Sequence, residues 1–246
     1  MNLKQSRKRT QRIAALTVLA VLIAAVGFYL GDFYHADTEA IEAFCEGFSG
    51  EISVDSGDNI VVIPDQATAG MIFYPGGKVE YTAYMPLMKA LAEKGVLCIL
   101  VKMPFHLAVL DSNAADGIPE QYPEIESWYI GGHSLGGAMG ASYVSKHPDA
   151  FEGLVLLGAY STADLSHTEL QILSVYGSED GVMNREKYRS CLVNLPADYR
   201  EVVLEGGCHA YFGMYGHQNG DGTASLSPEE QILLTSDLIA EWIYAK

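Results

Sequence analysis

The corner at Ser134 constrains the fold more than any other stretch of the chain. Apolar Trp128, Tyr129 and Ile130 run into it and read as the end of a buried strand. Gly131-Gly132-His133-Ser134-Leu135-Gly136-Gly137 follows, and then a helical pattern rich in small residues that reaches His147 and stops at Pro148. Gly132 stands two before the serine and Gly136 two after it, the spacing G-x-S-x-G. A strand that turns abruptly into a helix forces its corner residue into a strained backbone conformation. Side chains two before and two after would collide there, so both positions call for glycine. The strain lifts the serine hydroxyl above the sheet, at a helix N-terminus where developing negative charge is favoured.

The rest of the chain alternates in the way such a corner requires. Residues 38–44 read as a helix ending near Gly47, and residues 52–54 and 59–64 as two strands joined by a tight turn through Asp55-Ser56-Gly57-Asp58. Residues 70–74 form an apolar strand that runs into Pro75-Gly76-Gly77-Lys78. Residues 81–94 carry helical periodicity, closed by Gly95. Residues 96–101 are a second buried strand, followed by a helical piece near 107–112. Downstream come strands at 153–158, 171–176 and 199–204, a helix over 184–195, and a final amphipathic helix through Ile243. Ser227 with Glu230 makes a capping box at its start. Strands separated by helices predict an α/β fold, a mostly parallel sheet with helices on both faces. In such sheets chemistry collects at the C-terminal ends of the strands. Gly76, Gly77 and Lys78, then Ser134, Asp180 and His209 all sit at such ends.

A serine hydroxyl attacks poorly unless a base takes its proton, and the base needs an acid to fix its tautomer. Asp180 ends the turn Tyr176-Gly177-Ser178-Glu179-Asp180, and His209 follows Gly206-Gly207-Cys208, flexible enough to bring an imidazole over the serine. Glu179 is the rival acid and His217 the rival base. His35, His133, His147 and His167 lack the position. With its Gly-His-Ser-Leu-Gly-Gly elbow and the chain order serine, acid, histidine, the sequence over about residues 60–246 resembles the α/β-hydrolase superfamily. The resemblance implies a triad of Ser134, Asp180 and His209. It also implies an oxyanion hole built from the backbone N–H of Leu135 and that of Gly77 or Lys78. The loop departs from the family's His-Gly form, which leaves the choice between those two open. Residues 159–170 leave no room for a helical lid, so the chain resembles compact members without a cap domain, such as dienelactone hydrolases and small esterases. Dienelactone hydrolases proper carry cysteine at the elbow, so their substrate does not transfer to Ser134. The expected activity is cleavage of a carboxylic ester through an acyl-enzyme. Acyl transfer and thioester or amide hydrolysis use the same triad, and a non-catalytic surface binding protein on this scaffold is the alternative from another class. The aromatic loop Tyr211-Phe212-Gly213-Met214-Tyr215-Gly216 either walls the acyl pocket or simply packs.

The N-terminus is a separate matter. Lys4, Arg7, Lys8, Arg9 and Arg12 precede a run over 13–30 without a charged residue, closed by Gly31. That length suits a bilayer-spanning helix, and the basic flank keeps the N-terminus cytoplasmic, which puts the bulk of the chain outside. No small-x-small site follows the run, which favours an uncleaved signal anchor over a cleaved signal peptide and secretion. The expected divisions are a cytoplasmic basic segment at 1–12, a transmembrane anchor at 13–31, a lead-in at 32–58 and a hydrolase domain at 59–246. With 49% hydrophobic and 19% charged residues the chain is globular rather than disordered. Beyond residue 12, ten basic residues face all 31 acids, which excludes the basic surface that nucleic-acid binding needs. The expected partners are a small-molecule ester or acyl substrate and, through the helix, a membrane; composition leaves the oligomeric state open. No cofactor or metal is expected, since there is no G-x-G-x-x-G after a strand, no phosphate-binding G-x-x-x-x-G-K-[ST] and no His/Cys cluster. Cys45, Cys98, Cys191 and Cys208 show neither a C-x-x-C pair nor zinc spacing. One or two disulfides are open to an exported chain, with Cys98, inside a strand, the poorest partner.

Overall fold

A computed structural model of the chain describes residues 3–245, with side chains from Gln11 onward. The side chains of Lys4, Arg7, Lys8 and Arg9 in the expected basic segment therefore lie outside the described residues. The chain divides into two compact units, Met1–Phe33 and Tyr34–Lys246. The first is a single helix, α1 (Leu3–Gly31). Its stretch Gln11–Gly31 has a mean hydropathy of 2.6 and is long and apolar enough to cross a membrane. Leu16, Ile23 and Phe28 are among the apolar side chains along it.

The second unit opens with α2 (Thr38–Cys45), capped by the Asp37 carboxylate, which accepts the Ala40 N–H. Two short strands follow, β1 (Glu51–Val54) and β2 (Ile60–Ile63), and the turn between them is tied by Asp55, whose Oδ1 accepts the N–H groups of Gly57 and Asn59. Then come β3 (Ala69–Tyr74), α3 (Met85–Ala92), β4 (Val96–Leu100), β5 (Trp128–His133), α4 (Leu135–Val144), β6 (Gly153–Leu157), β7 (Gln171–Gly177), α5 (Arg185–Cys191), β8 (Arg200–Leu204) and α6 (Pro228–Tyr244). All eight strands form one sheet in the order β1-β2-β4-β3-β5-β6-β7-β8. β2 runs against both β1 and β4, and every pair from β4 to β8 is parallel.

Parallel strands covered on both faces are apolar on both faces, and successive side chains divide between two cores. Met71, Phe73, Val155 and Leu157 join the core under α3 and α6, while Ile72, Tyr74, Leu154 and Leu156 join the core on the α4 side. Each fully buried Leu, Ile or Phe contributes roughly 1.5–3 kcal/mol. The capping box at α6 forms as its residues predict: Ser227 Oγ accepts the Glu230 N–H and the Glu230 carboxylate accepts the Ser227 N–H.

Four elements differ from the expectations. The helix expected over 184–195 is α5, which ends at Cys191 and passes into the 3-10 turn Leu192–Asn194. The helix expected over 81–94 is a 3-10 turn, Tyr81–Tyr84, followed by α3, because Pro86 has no N–H and fits only a first helical turn. The helical piece expected near 107–112 shrinks to the 3-10 turn Ala108–Leu110. Proline and glycine at 104, 117 and 119 punctuate that crossover, and its apolar residues Ala108, Ala115, Ile118 and Ile125 enter the core singly rather than as one helical face. The helix after Ser134 ends at Val144 instead of reaching His147, because a residue before proline avoids the helical region. Residues 158–170, between β6 and β7, are turns and bends, so no cap domain is present. All four cysteines are free thiols.

Candidate active site

Four strand ends, those of β3, β5, β7 and β8, bring the predicted residues to one end of the sheet. Ser134 has φ 52° and ψ −119°, the strained corner its flanking glycines predict. Its own N–H donates to the Leu157 carbonyl at 2.9 Å, which anchors the corner to β6. A Cβ at Gly136 would run into the carbonyl oxygens of Tyr74 and Pro75, so the loop after β3 lies directly against the first turn of α4. Leu135 opens α4, where the first N–H groups have no intrahelical acceptor.

The loop after β3 treats the two expected donors differently. Lys78 N–H already donates to the His106 carbonyl at 2.8 Å, and Gly76 N–H donates to Tyr84 Oη at 3.1 Å. Gly77 N–H makes no hydrogen bond among the described residues. A Cβ on Gly77 would meet the Leu135 side chain at 2.8 Å. Of the two predicted donors, Gly77 is thus the one with an unengaged N–H beside Leu135, and Lys78 is not.

Asp180 and His209 meet as predicted. Asp180 Oδ2 lies 2.8 Å from His209 Nδ1, and both side chains are buried. The other carboxylate oxygen accepts the N–H groups of Val182 (2.9 Å) and Met183 (2.8 Å), which locks the carboxylate plane. Burying an ionised carboxylate is costly unless it is bonded, and each charge-assisted bond returns roughly 1.5–3 kcal/mol. The rivals are elsewhere: Glu179 is exposed and accepts the Ser178 hydroxyl, and His217 is exposed. His209 Nε2 is buried without a protein partner among the described residues. Ser134 and His209 line one cavity of about 420 Å³, together with Leu135, Met139, Val182 and Met183. No Lys, Arg, Asp or Glu lines it. The aromatic loop is not part of that lining: Phe212, Met214 and Tyr215 belong to the core under α3. Among the described residues no group of three His, Cys, Asp or Glu side chains is placed to hold a metal ion.

Two contributors escaped the sequence. Gly158, just past β6, has φ 52°, and a Cβ there would come within 2.9 Å of His209 Nδ1 and 3.2 Å of Asp180 Oδ2. Glycine at that position makes room for the pair; in the sequence it reads only as a strand end. His133 is the other. It is buried, its Nδ1 lies 2.8 Å from Tyr84 Oη, and its ring centroid is 4.4 Å from that of His209. Since Tyr84 accepts the Gly76 N–H, its own proton is available to His133 Nδ1, and the chain Gly76–Tyr84–His133 joins the loop after β3 to the end of β5.

Burial, reinforced by the nearby His209, holds the His133 imidazole well below its ordinary value of 6.5. The sign of the linkage follows. Below pH 6.5 the unfolded chain takes up a proton that folded His133 refuses, so the folded state loses stability as pH falls through that value toward the depressed one. Urea unfolding of the wild type and His133→Gln between pH 7 and pH 5 should show the wild type losing about 2 kcal/mol more than the variant over that range, with the difference in slope approaching about 1.4 kcal/mol per pH unit at its acid end. Equal slopes would show that His133 is charged in the folded state.

The geometry is that of a serine placed at a strand-to-helix corner, a carboxylate-bound histidine lining the same cavity, and unengaged N–H groups at the same end of the sheet. The model of the alpha/beta hydrolase family matches residues 70–233, more than half of the chain, and the chain belongs to that family. Among solved structures it is similar to dienelactone hydrolase from Anabaena variabilis, with 15% identity over 80% of this chain and 98% of that one and a TM-score of 0.60. Est1E from Butyrivibrio proteoclasticus gives 14%, 80%, 98% and 0.59 in the same terms. A thermophilic esterase from Thermogutta terrifontis gives 12%, 80%, 97% and 0.57. At such identities the likeness is one of fold. No curated protein matches the sequence.

Proposed function

We propose that this hydrolase is a serine esterase that cleaves carboxylic esters through an acyl-enzyme on Ser134. His209 Nε2 takes the serine proton as the hydroxyl oxygen attacks the ester carbonyl, and Asp180 keeps the histidine proton on Nδ1. The N–H groups of Leu135 and Gly77 hold the oxyanion. The alcohol leaves with the proton from His209. A water then attacks the acyl-enzyme, again with His209 as base, and the carboxylic acid departs. One observation carries the reading: His209 is bonded to Asp180, its Nε2 has no protein partner among the described residues, and His209 and Ser134 line the same cavity. The absence of charged side chains from that lining, with Met139, Val182 and Met183 in it, favours an uncharged ester with a short apolar acyl group.

In the same reading α1 is an uncleaved signal anchor, with residues 1–12 cytoplasmic, residues 32–58 leading into a hydrolase domain at 59–246, and that domain on the extracytoplasmic side. One experiment addresses both claims. Cells expressing the full chain are treated with a membrane-impermeant fluorophosphonate probe, before and after permeabilisation, beside His209→Ala. The expected result is labelling of intact cells that the variant loses. Labelling only after permeabilisation would overturn the orientation. No labelling under either condition would overturn the activated serine and favour a binding protein on a hydrolase scaffold.

A further inference from the structure

The loop Gly220-Asp221-Gly222 is threaded between the turn after β7, which carries Asp180, and the turn after β8, which carries His209. The two carboxylate oxygens of Asp221 accept four backbone N–H groups. Oδ1 takes those of Gly181 (3.1 Å), His209 (3.1 Å) and Gly222 (3.0 Å), and Oδ2 takes that of Ala210 (2.8 Å). The fit leaves no room for side chains on either side. A Cβ at Gly181 would run into the Gly220 carbonyl oxygen, and one at Gly222 into that of Glu179. Burial by itself would raise the Asp221 pKa; the backbone donors outweigh it and hold the carboxyl below its ordinary value of 3.8, so the clip is ionised at neutral pH.

Other bonds secure the histidine turn, but at different points. Gln231 grips the backbone of Cys208 with two hydrogen bonds, at 2.9 Å from the Cys208 N–H and 2.8 Å to its carbonyl. Ser178 Oγ accepts the Gly206 N–H at 2.9 Å. Those hold the root of the turn. Asp221 bonds the backbone of His209 itself, and with the same oxygen bonds the residue that follows Asp180. The chemistry calls for a carboxylate: an amide offers one acceptor and one donor, and its NH₂ would face an N–H that needs an acceptor.

We propose that Asp221 is the positioning residue of this site, setting the separation of the two turns that carry Asp180 and His209 and thereby the aim of His209 Nε2 toward Ser134. The inference rests on the reading of Ser134 and His209 as nucleophile and base. Asp221 touches no reacting atom and is absent from the cavity lining, so its replacement removes no direct contact with the substrate. A shift of about 1 Å in a reacting group costs on the order of 100-fold in rate.

The test uses the full chain as wild type, Asp221→Asn and Asp221→Ala, with p-nitrophenyl butyrate as substrate. Circular dichroism and thermal melting give the folded fraction, and kcat, KM and the rate of fluorophosphonate labelling are expressed per folded molecule. In Asp221→Ala, kcat and the labelling rate should fall together by about 100-fold with KM unchanged. Asp221→Asn, which keeps one acceptor, should recover part of that loss, and its milder change provides the measurement if the alanine variant does not fold. Wild-type kcat per folded molecule in either folded variant, with only a lower melting temperature, would overturn the proposal and leave Asp221 a purely structural tie. A wild type that neither hydrolyses the ester nor takes the probe fails the esterase reading itself, and is told apart from failure of the clip because the defect then precedes any substitution.

Discussion

Ser134→Ala should lower kcat for p-nitrophenyl acetate by roughly 10⁵- to 10⁶-fold, the loss expected if Ser134 is the nucleophile of a cooperating triad, as proposed. What survives is the background supplied by binding and by the oxyanion donors. The variant keeps its fold. The N–H of residue 134 still reaches the Leu157 carbonyl, and the strained φ of 52° is imposed by the strand, the helix and the packing at Gly136 rather than by the hydroxyl. The thermal midpoint should therefore stay close to that of the wild type, which separates loss of chemistry from loss of structure. The measurement is ester hydrolysis beside fluorophosphonate labelling at equal folded protein. Hydrolysis within tenfold of the wild type would show that another group attacks the ester and would remove Ser134 from the mechanism.

Asp180→Asn is the second large effect, about 10⁴-fold in kcat. The substitution is nearly isosteric, and the asparagine carbonyl oxygen can still accept the N–H groups of Val182 and Met183, so the side chain stays where it is. Its NH₂ then points at His209 Nδ1. A donor there needs an acceptor, which forces the histidine proton onto Nε2, the nitrogen that has to accept from Ser134. The imidazole is present, correctly placed and in the wrong tautomer. KM should change little, because Asp180 does not line the cavity. Steady-state kinetics at several pH values checks this, since the loss should persist at alkaline pH, where a base that merely titrates differently would recover. A full recovery there would show that Asp180 tunes the charge of His209 instead of its tautomer.

The parts of this site that were legible in the sequence are the ones written in short-range chemistry. Gly132 and Gly136 announce the corner because the clash they avoid is with the backbone within a turn of themselves or with the adjacent strand end. Ser227 and Glu230 announce the start of α6 because the capping box closes within four residues. Asp180 and His209 are legible through their places just past strands, and their meeting at 2.8 Å follows once β7 and β8 are neighbours.

The rest was decided by residues distant in sequence. Gly77 and Lys78 are indistinguishable as donors until His106, on another crossover, takes the Lys78 N–H. His133 shows only as a filler inside a motif until Tyr84 and His209 close on its two sides. Gly158 is one strand end among several until the Asp180–His209 pair fills the space above it. The aromatic loop could wall a pocket or pack, and the surface of α3 draws it into the core. Asp221 sits in a stretch, Asn219-Gly220-Asp221-Gly222, that locally reads as a turn, and it acquires its three distant partners, the N–H groups of Gly181, His209 and Ala210, only when two strand ends converge on it. By itself the sequence determined the α/β fold, the elbow and the places of Ser134, Asp180 and His209 just past strand ends, because backbone sterics and hydrophobic periodicity act over a few residues. Which N–H groups remain unengaged, which histidine is neutral, and what holds the acid and base turns in register were decided only by the tertiary structure, because hydrogen-bond satisfaction and burial are properties of the assembled neighbourhood.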